Sequence, residues 1–212
     1  MPPNTSFQAF SSLTIDKLKQ QFGLKEVDNL IFKFKFGENI DTQSLQNLIQ
    51  KSKRRIQYWN EQELVIKFLS RVLELADLQG DGYSTFAERE FSAVVDGFGL
   101  IGKTDFVVAK GETIPSKPYF FIQEYKRAKL GPESDPLAQL LGEMLVAQKL
   151  NNSNTVYGSY IVGQLWYFVV LSDRDFTISS AFDSMQIDEL LGIMSRLNWI
   201  KEYVEKELEN SE

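Results

Sequence analysis

The sequence predicts an α/β protein built on a central mixed β-sheet flanked by helices, and three observations carry that expectation. Stretches of helical periodicity alternate with apolar runs of strand character, in the order helix, three antiparallel strands, helix, further strands and a long C-terminal helix. A length of 212 residues suits one such domain with a sizeable core. A composition of 43% hydrophobic and 25% charged residues is that of an ordinary globular chain. On this reading residues 1–56 form a small N-terminal extension of helical and extended segments, and residues 57–212 form the main domain. No internal repeat or low-complexity segment is visible.

Residues 1–12 carry little periodicity and are expected to be loose. From Thr14 to Phe22 a short helix sets Ile15, Leu18 and Phe22 on one face, with Gly23 as its stop. The stretch from Asp28 to Phe36, rich in Phe and Ile, suggests a strand or an extended connection. Asp41 caps a helix with the apolar stripe Leu45, Leu48 and Ile49. That helix runs into Lys51, Lys53, Arg54 and Arg55, a cluster that reads as a solvated helix end, where cations suit the C-terminal dipole. Asn60 and Glu63 then have the spacing of a capping box, which opens a helix with Val65, Phe68, Leu69, Val72 and Ala76 along one face.

Residues 77–88 nearly match an EF-hand calcium loop, with Asp77, Asp81, Gly82 and Glu88 at its first, fifth, sixth and twelfth positions. Gln79 and Ser84 depart from the pattern and no second hand exists, so an ordinary polar turn is the expected structure. Phe91 to Leu100 reads as the first strand, with a tight link at Gly102 into the next. Two apolar runs, Lys103 to Lys110 and Pro118 to Lys126, then read as an antiparallel hairpin closed by a loop over 111–118. After a polar loop, Asp135-Pro136 opens a helix with an N-cap and Pro at its first position. Leu137, Leu140, Leu141, Met144 and Leu145 make its buried stripe, and Gln139 and Glu143 stack one turn apart on another face. Thr155 to Val162 and Leu165 to Leu171 form a hairpin around Gly163-Gln164. Their Trp166, Tyr167 and Phe168 read as core and sheet surface rather than a base-stacking platform. A further strand is expected over Asp175 to Ser180, and a helix from Ile187 to Leu208.

Composition narrows the chemistry. There is no cysteine and no histidine, so disulfides, thiolate sites, imidazole catalysis and Ser-His-Asp hydrolysis are excluded. Carboxylates, Lys, Tyr, Ser or a metal ion remain for any catalysis. A net charge of −6 argues against a broad basic surface that coats nucleic acid, while leaving local basic contacts such as Lys126, Arg127 and Lys129. No apolar stretch reaches a membrane span and the N-terminus lacks a basic-then-apolar leader, so a cytoplasmic, soluble protein without a membrane partner is expected.

The chemistry converges on the central hairpin. With residues 111–118 as its loop, antiparallel pairing sets Asp105 opposite Glu124, with Cβ atoms about 4.5–5.5 Å apart. Lys126 follows Glu124 on the same face by the strand's period of two. Facing carboxylates repel, and a divalent cation resolves that conflict; oxygen-only ligands suit Mg²⁺ or Mn²⁺.

An Asp on one strand followed by apolar residues leading into Glu-x-Lys on the next resembles the PD-(D/E)XK nuclease superfamily. Thr104 stands where its name has Pro. The resemblance spans roughly residues 60–171 and implies a restriction-endonuclease-like core of αβββαβ order. It implies metal-dependent hydrolysis of phosphodiesters, with DNA the expected nucleic acid and a homodimer or larger complex left open. Asp105 and Glu124, with the backbone carbonyl of Tyr125, would hold Mg²⁺ or Mn²⁺, and Lys126 would orient water and stabilise negative charge. The preceding helix would add an acidic residue, Glu63 first and Glu61 second. Gln139 corresponds to a Gln that recurs on the following helix; where some branches carry Tyr four residues later, this chain has Glu143. A non-catalytic nucleic-acid-binding or protein-binding member of the fold, and a calcium-responsive module resting on residues 77–88, are the alternatives.

Overall fold

A computed structural model describes residues 6–28, 40–131 and 134–210. Its first helix, α1 (Ile15–Phe22), starts where the Thr14 hydroxyl accepts from the Lys17 amide and stops at Gly23, whose φ of 69° is left-handed. Helix α2 (Thr42–Ser52) is capped by Asp41, which accepts from the Ser44 amide, and it buries Leu45, Leu48 and Ile49 as its periodicity requires. Lys51, Lys53, Arg54 and Arg55 lie exposed at its end, as a solvated helix terminus should. Apart from Asp28, the extended segment expected up to Phe36 lies outside the described residues.

The helix opened by Asn60 is interrupted. Helix α3 (Glu61–Leu64) passes through a π segment (Val65–Leu69) into α4 (Ser70–Ala76). Phe68, Leu69, Val72 and Ala76 remain buried, but the widened π turn leaves Val65 half-buried and Ile66 exposed. Asp77 ends α4 in a left-handed conformation, and its carboxylate takes a 2.9 Å hydrogen bond from Lys201. The chain then turns through a Gly80–Tyr83 bridge and enters β3 (Tyr83–Val95). Residues 77–88 are thus a polar turn and a strand rather than a loop with an exiting helix.

Strand β3 continues to Val95 and reverses at Asp96-Gly97, whose φ angles of 48° and 88° match a two-residue hairpin turn. Strand β4 (Phe98–Lys110) then runs without a break through Gly102. This corrects the expected strand over Phe91–Leu100 and the link at Gly102. Gly102 is needed for close approach instead, because a Cβ there would lie 2.4 Å from the Phe10 ring. Strand β5 (Ser116–Lys126) completes an antiparallel meander. Helix α5 (Pro136–Asn151) then crosses to β6 (Thr155–Val162), which lies parallel to β5. Strands β7 (Leu165–Ser172) and β8 (Asp175–Ile178) follow antiparallel, then a short β9 (Phe182–Asp183) and helix α6 (Ile187–Glu209).

Segments of the N-terminal 56 residues join this sheet. Strand β1 (Phe7–Ala9) pairs parallel with the start of β4, and β2 (Lys25–Glu26) pairs parallel with β8. The expectation of a loose 1–12 is therefore corrected over the described residues: Phe7–Ala9 is a strand and Phe10 is buried. The reason is an open edge, since the start of β4 lies beyond the reach of β5 and leaves backbone groups that need partners.

The sheet is mixed and helices cover both faces. One core gathers α2, α3, α4 and α6 over Phe106, Phe121, Tyr125 and Trp166. The other gathers α1, α5 and Phe10–Leu13 over Val107, Ile122 and Val169. Because α5 lies between the sheet and the N-terminal segment, it is buried nearly all round rather than along one stripe. A Cβ at Gly142 would meet the Leu13 side chain at 2.4 Å, which shows how closely the outer face is covered. Glu143, expected on a separate polar face, is instead fully buried. Among the described residues no helix is long and apolar enough to cross a membrane.

Candidate functional site

Strands β4 and β5 pair from Phe106–Gln123 towards the hairpin loop, whereas residues 99–101 at the start of β4 pair with β1. The two strands therefore fork beyond Phe106–Gln123. Continuing the register places Asp105 and Glu124 opposite each other on the lips of the fork, as expected, but the loop is shorter than 111–118: Lys110 already pairs with Ser116, and register shifts between Val108 and Lys110 restore the facing pair. At this point the Asp105 carboxylate accepts a 2.7 Å hydrogen bond from the Tyr125 amide, so a side chain takes over where the backbone ladder ends.

Glu124 is fully buried beneath this fork. Its Oε1 accepts from the Lys126 ammonium, which also donates to the Tyr125 carbonyl at 3.1 Å. Glu124 Oε2 has no hydrogen-bond partner. Burial, reinforced by the Asp105 charge and only partly offset by Lys126, pushes the Glu124 carboxyl up to about 8. Burial also raises Asp105, against the Tyr125 amide and Lys126, which favour its ionised form. For Lys126, burial works to lower the pKa, but Glu124 and Asp105 outweigh it and hold the ammonium above the ordinary lysine range. On the opposite face the Tyr125 hydroxyl donates to Gln123 Oε1 at 2.9 Å, and Gln123 Nε2 donates to Ser159 Oγ at 2.9 Å. This buried polar chain fixes the backbone that presents Glu124 and Lys126.

On the preceding helix Glu63 forms the expected capping box, and Glu61, the second acidic candidate, is the one that lies at the cleft. Glu63 closes the capping box, accepting from the Asn60 amide at 3.2 Å while pairing with Lys67. Glu61, two residues earlier, shares a cleft with Asp105, Glu88 and Tyr125. Burial raises its pKa, Lys126 and Arg127 lower it, and Asp105 and Glu88 raise it further. Glu63→Ala should therefore lower the melting temperature slightly and leave any nucleolysis unchanged. Glu61→Ala should reduce nucleolysis without loss of stability, and paired melting and cleavage measurements check both.

Two further carboxylates at the site were not expected from sequence. Glu88 falls between the pairs Ala87–Phe106 and Arg89–Thr104, which puts it opposite Asp105. Its φ of 54° is unusual for a mid-strand glutamate and is the kind of backbone strain that clusters at functional sites. Glu143 on α5 is buried with neither oxygen hydrogen-bonded. Burial lifts its pKa well above the carboxylate range, Glu124 and Asp105 add to this, and Lys126 opposes it. One signal for Glu143 was present: it is the lone charge in the apolar run 137–147. Gln139 is half-buried one turn before it.

Among the described residues no group of three or more His, Cys, Asp or Glu is arranged to hold a metal ion. The donor chemistry nevertheless fits a hard cation. Mg²⁺ is usually held through one or two carboxylates, with water and phosphate oxygens completing its shell. Asp105 and Glu124 can supply those carboxylates, and Glu124 Oε2 is a buried acceptor without a partner. Two of the expected ligand atoms, Glu124 Oε1 and the Tyr125 carbonyl, are engaged by Lys126.

A groove of about 840 Å³ opens from Asp105 and Glu61 along α3, the π segment and α4, over Thr85, Ala87 and Phe106. Its lining is mostly apolar and carries Glu61, Glu74, Asp77, Glu88 and Asp105, but none of the described residues lining it is Lys or Arg.

No family model matches the chain, and no curated protein matches it. Among solved structures, the chain is similar to the crystal structure of SSO0001 at 13% identity, over 89% of this chain and 82% of that one, with a TM-score of 0.26. A likeness at that score carries no argument.

Proposed function

We propose that the protein is a metal-dependent nuclease whose sheet forms a restriction-endonuclease-like core and whose site is built on Asp105, Glu124 and Lys126. The observation that supports this reading is the convergence of those three side chains at the fork of a β-meander, which α5 then links to a parallel strand. DNA is the proposed substrate, and Mg²⁺ or Mn²⁺ the proposed cofactor.

When bound, the cation would supply Lewis-acid stabilisation of charge on a phosphoryl oxygen. The chain's own residues divide the remaining work. Asp105 and Glu124 would hold the cation, and the Tyr125 amide orients Asp105 through its hydrogen bond. Lys126 remains charged beside two carboxylates, so it would orient water and stabilise developing negative charge rather than accept a proton. Glu61 would complete the acidic rim from the helix side.

The groove favours one second reading, a non-catalytic protein-binding member of the same fold. An apolar floor lined by five carboxylates, of which Glu74 and Asp77 are paired with Arg71 and Lys201 while Glu61, Glu88 and Asp105 lie at the fork, suits a basic, apolar partner better than a polyanion.

The test is purified protein with linear and circular DNA, single strands and RNA over a range of Mg²⁺ and Mn²⁺ concentrations. Asp105→Asn and Glu124→Gln should abolish cleavage while leaving the metal-free protein folded, because each removes a buried acid yet keeps an acceptor for the Tyr125 amide or Lys126. Cleavage that survives both substitutions, or melting that drops sharply in both while metal has no effect, would mark these residues as a structural ion cluster.

A further inference from the structure

Glu143 has no structural reason to be a glutamate. It is fully buried in the middle of an apolar helix, and neither carboxylate oxygen has a hydrogen bond of normal geometry, with Gln139 one turn back as its polar neighbour on the same helix. A buried carboxyl without hydrogen bonds is costly, and Gln, Met or Leu would fit a helix interior at lower cost. A proton removes its charge but still leaves acceptor positions unfilled. Helix α5 packs across β5 and β6, and the charge acting most strongly on Glu143 is Glu124, followed by Asp105 and Lys126. Glu143 therefore faces the site from the helix side.

Glu124 presents a matching vacancy in its hydrogen bonding. Its Oε1 is held by Lys126, as is the Tyr125 carbonyl, while Oε2 is buried without a hydrogen bond of normal geometry, the facing Asp105 carboxyl being the other polar neighbour of Glu124. The free edge of Glu124 is thus the one that Lys126 does not cover. We infer that Glu124 Oε2 and the Glu143 carboxylate are the two protein ligands of a divalent-cation position, so that the cation is held between β5 and α5. This rests on the reading of the cleft as a cation-dependent hydrolytic site and moves the second ligand from Asp105 to the helix. Two carboxylates with the rest of the shell left to water and phosphate oxygens is the usual binding mode of Mg²⁺, and Mn²⁺ accepts the same donors. The arrangement also lets Lys126 keep its two hydrogen bonds while the cation is bound, which the Glu124 Oε1 and Tyr125 carbonyl ligand set would not.

Calorimetric titration of Mn²⁺ into the full chain, without nucleic acid, tests the inference directly. Glu143→Gln preserves shape and should weaken Mn²⁺ binding by about 10–100-fold or more, with the metal-free melting temperature unchanged or raised. If Glu143→Gln fails to fold, Glu143→Asp keeps the charge, shortens the ligand and should also weaken binding. Wild-type affinity in the folded variant overturns the inference and leaves the cation to Asp105 and Glu124. Failure of the wild-type protein to bind Mn²⁺ at millimolar concentration also overturns it. Glu143-dependent binding in a protein that cleaves no nucleic acid upholds the cation site and refutes the nuclease reading.

Discussion

Lys126→Ala should reduce nucleolysis by at least about 10²–10³-fold while the protein stays folded. The ammonium touches Glu124 and the Tyr125 carbonyl and is no proposed metal ligand, so the variant should still bind Mn²⁺. The effect on folding follows from what Glu124 does next. Removing one partner of a buried ion pair commonly costs about 3–5 kcal/mol when the other must stay charged. Glu124 has an alternative, because burial and Asp105 hold its carboxyl at about 8 even with the ammonium beside it. Below that value it already carries a proton, so at neutral pH the loss of Lys126 strands no buried negative charge and most of that cost is avoided. Initial cleavage rates and urea midpoints at pH 7 check both halves. Cleavage at wild-type rates would remove Lys126 from the chemistry, and loss of several kcal/mol would make it a structural counter-ion.

The metal-free protein should lose stability as pH rises from about 5 to about 8. Glu124 titrates in the folded state at about 8, above its ordinary value of 4.5. Between those values the native protein holds a proton that the unfolded chain has released, so rising pH favours unfolding. The contribution is fully present below the unfolded pKa and is lost as pH passes through the folded one. One fully linked proton corresponds to about 1.4 kcal/mol per pH unit. Glu143, Asp105 and Glu61 are raised in the same direction, each with burial as the first cause, so they steepen the slope. Lys126, raised above the ordinary lysine value, loses its contribution only at alkaline pH, outside this window. Glu124→Gln and Glu143→Gln should each flatten the profile. Saturating Mn²⁺ should oppose the decline, since cation binding displaces protons from carboxyl ligands. Urea denaturation at pH 5, 6, 7 and 8 in the presence of a chelator measures the slope, and a flat wild-type profile would contradict the buried protonated carboxyls.

Where structure depends on neighbours along the chain, the sequence by itself determined the outcome. The caps at Thr14, Asp41 and Asn60, the Asp135-Pro136 helix start and the Gly163 turn each satisfy groups within a few residues, and all are present. The Asp105–Glu124 pairing belongs with them in part: the strand period of two sets the faces, while register shifts between Val108 and Lys110 compensate a loop shorter than 111–118. The Asp96-Gly97 turn is equally local, an Asp-Gly hairpin signal that a strand drawn from Phe91 to Leu100 passes over.

Tertiary structure decided what depends on a third element. Glu143 could be solvent-facing or buried according to which side of α5 meets the sheet, and only the packing of α5 across β5 and β6 turns it towards Glu124. Glu61 and Glu63 are both acids in one helical turn, and only the docking of α3 beside the fork assigns one to the cleft and the other to the cap. Glu88 reaches the site through its register with β4 and a left-handed backbone, neither of which periodicity can show. The strand at Phe7–Ala9 exists because β4 outruns β5 and its unpaired edge needs hydrogen bonds. Local chemistry thus set the elements and the facing pair, whereas burial and long-range charge, which arise only when distant segments pack, chose the other members of the site.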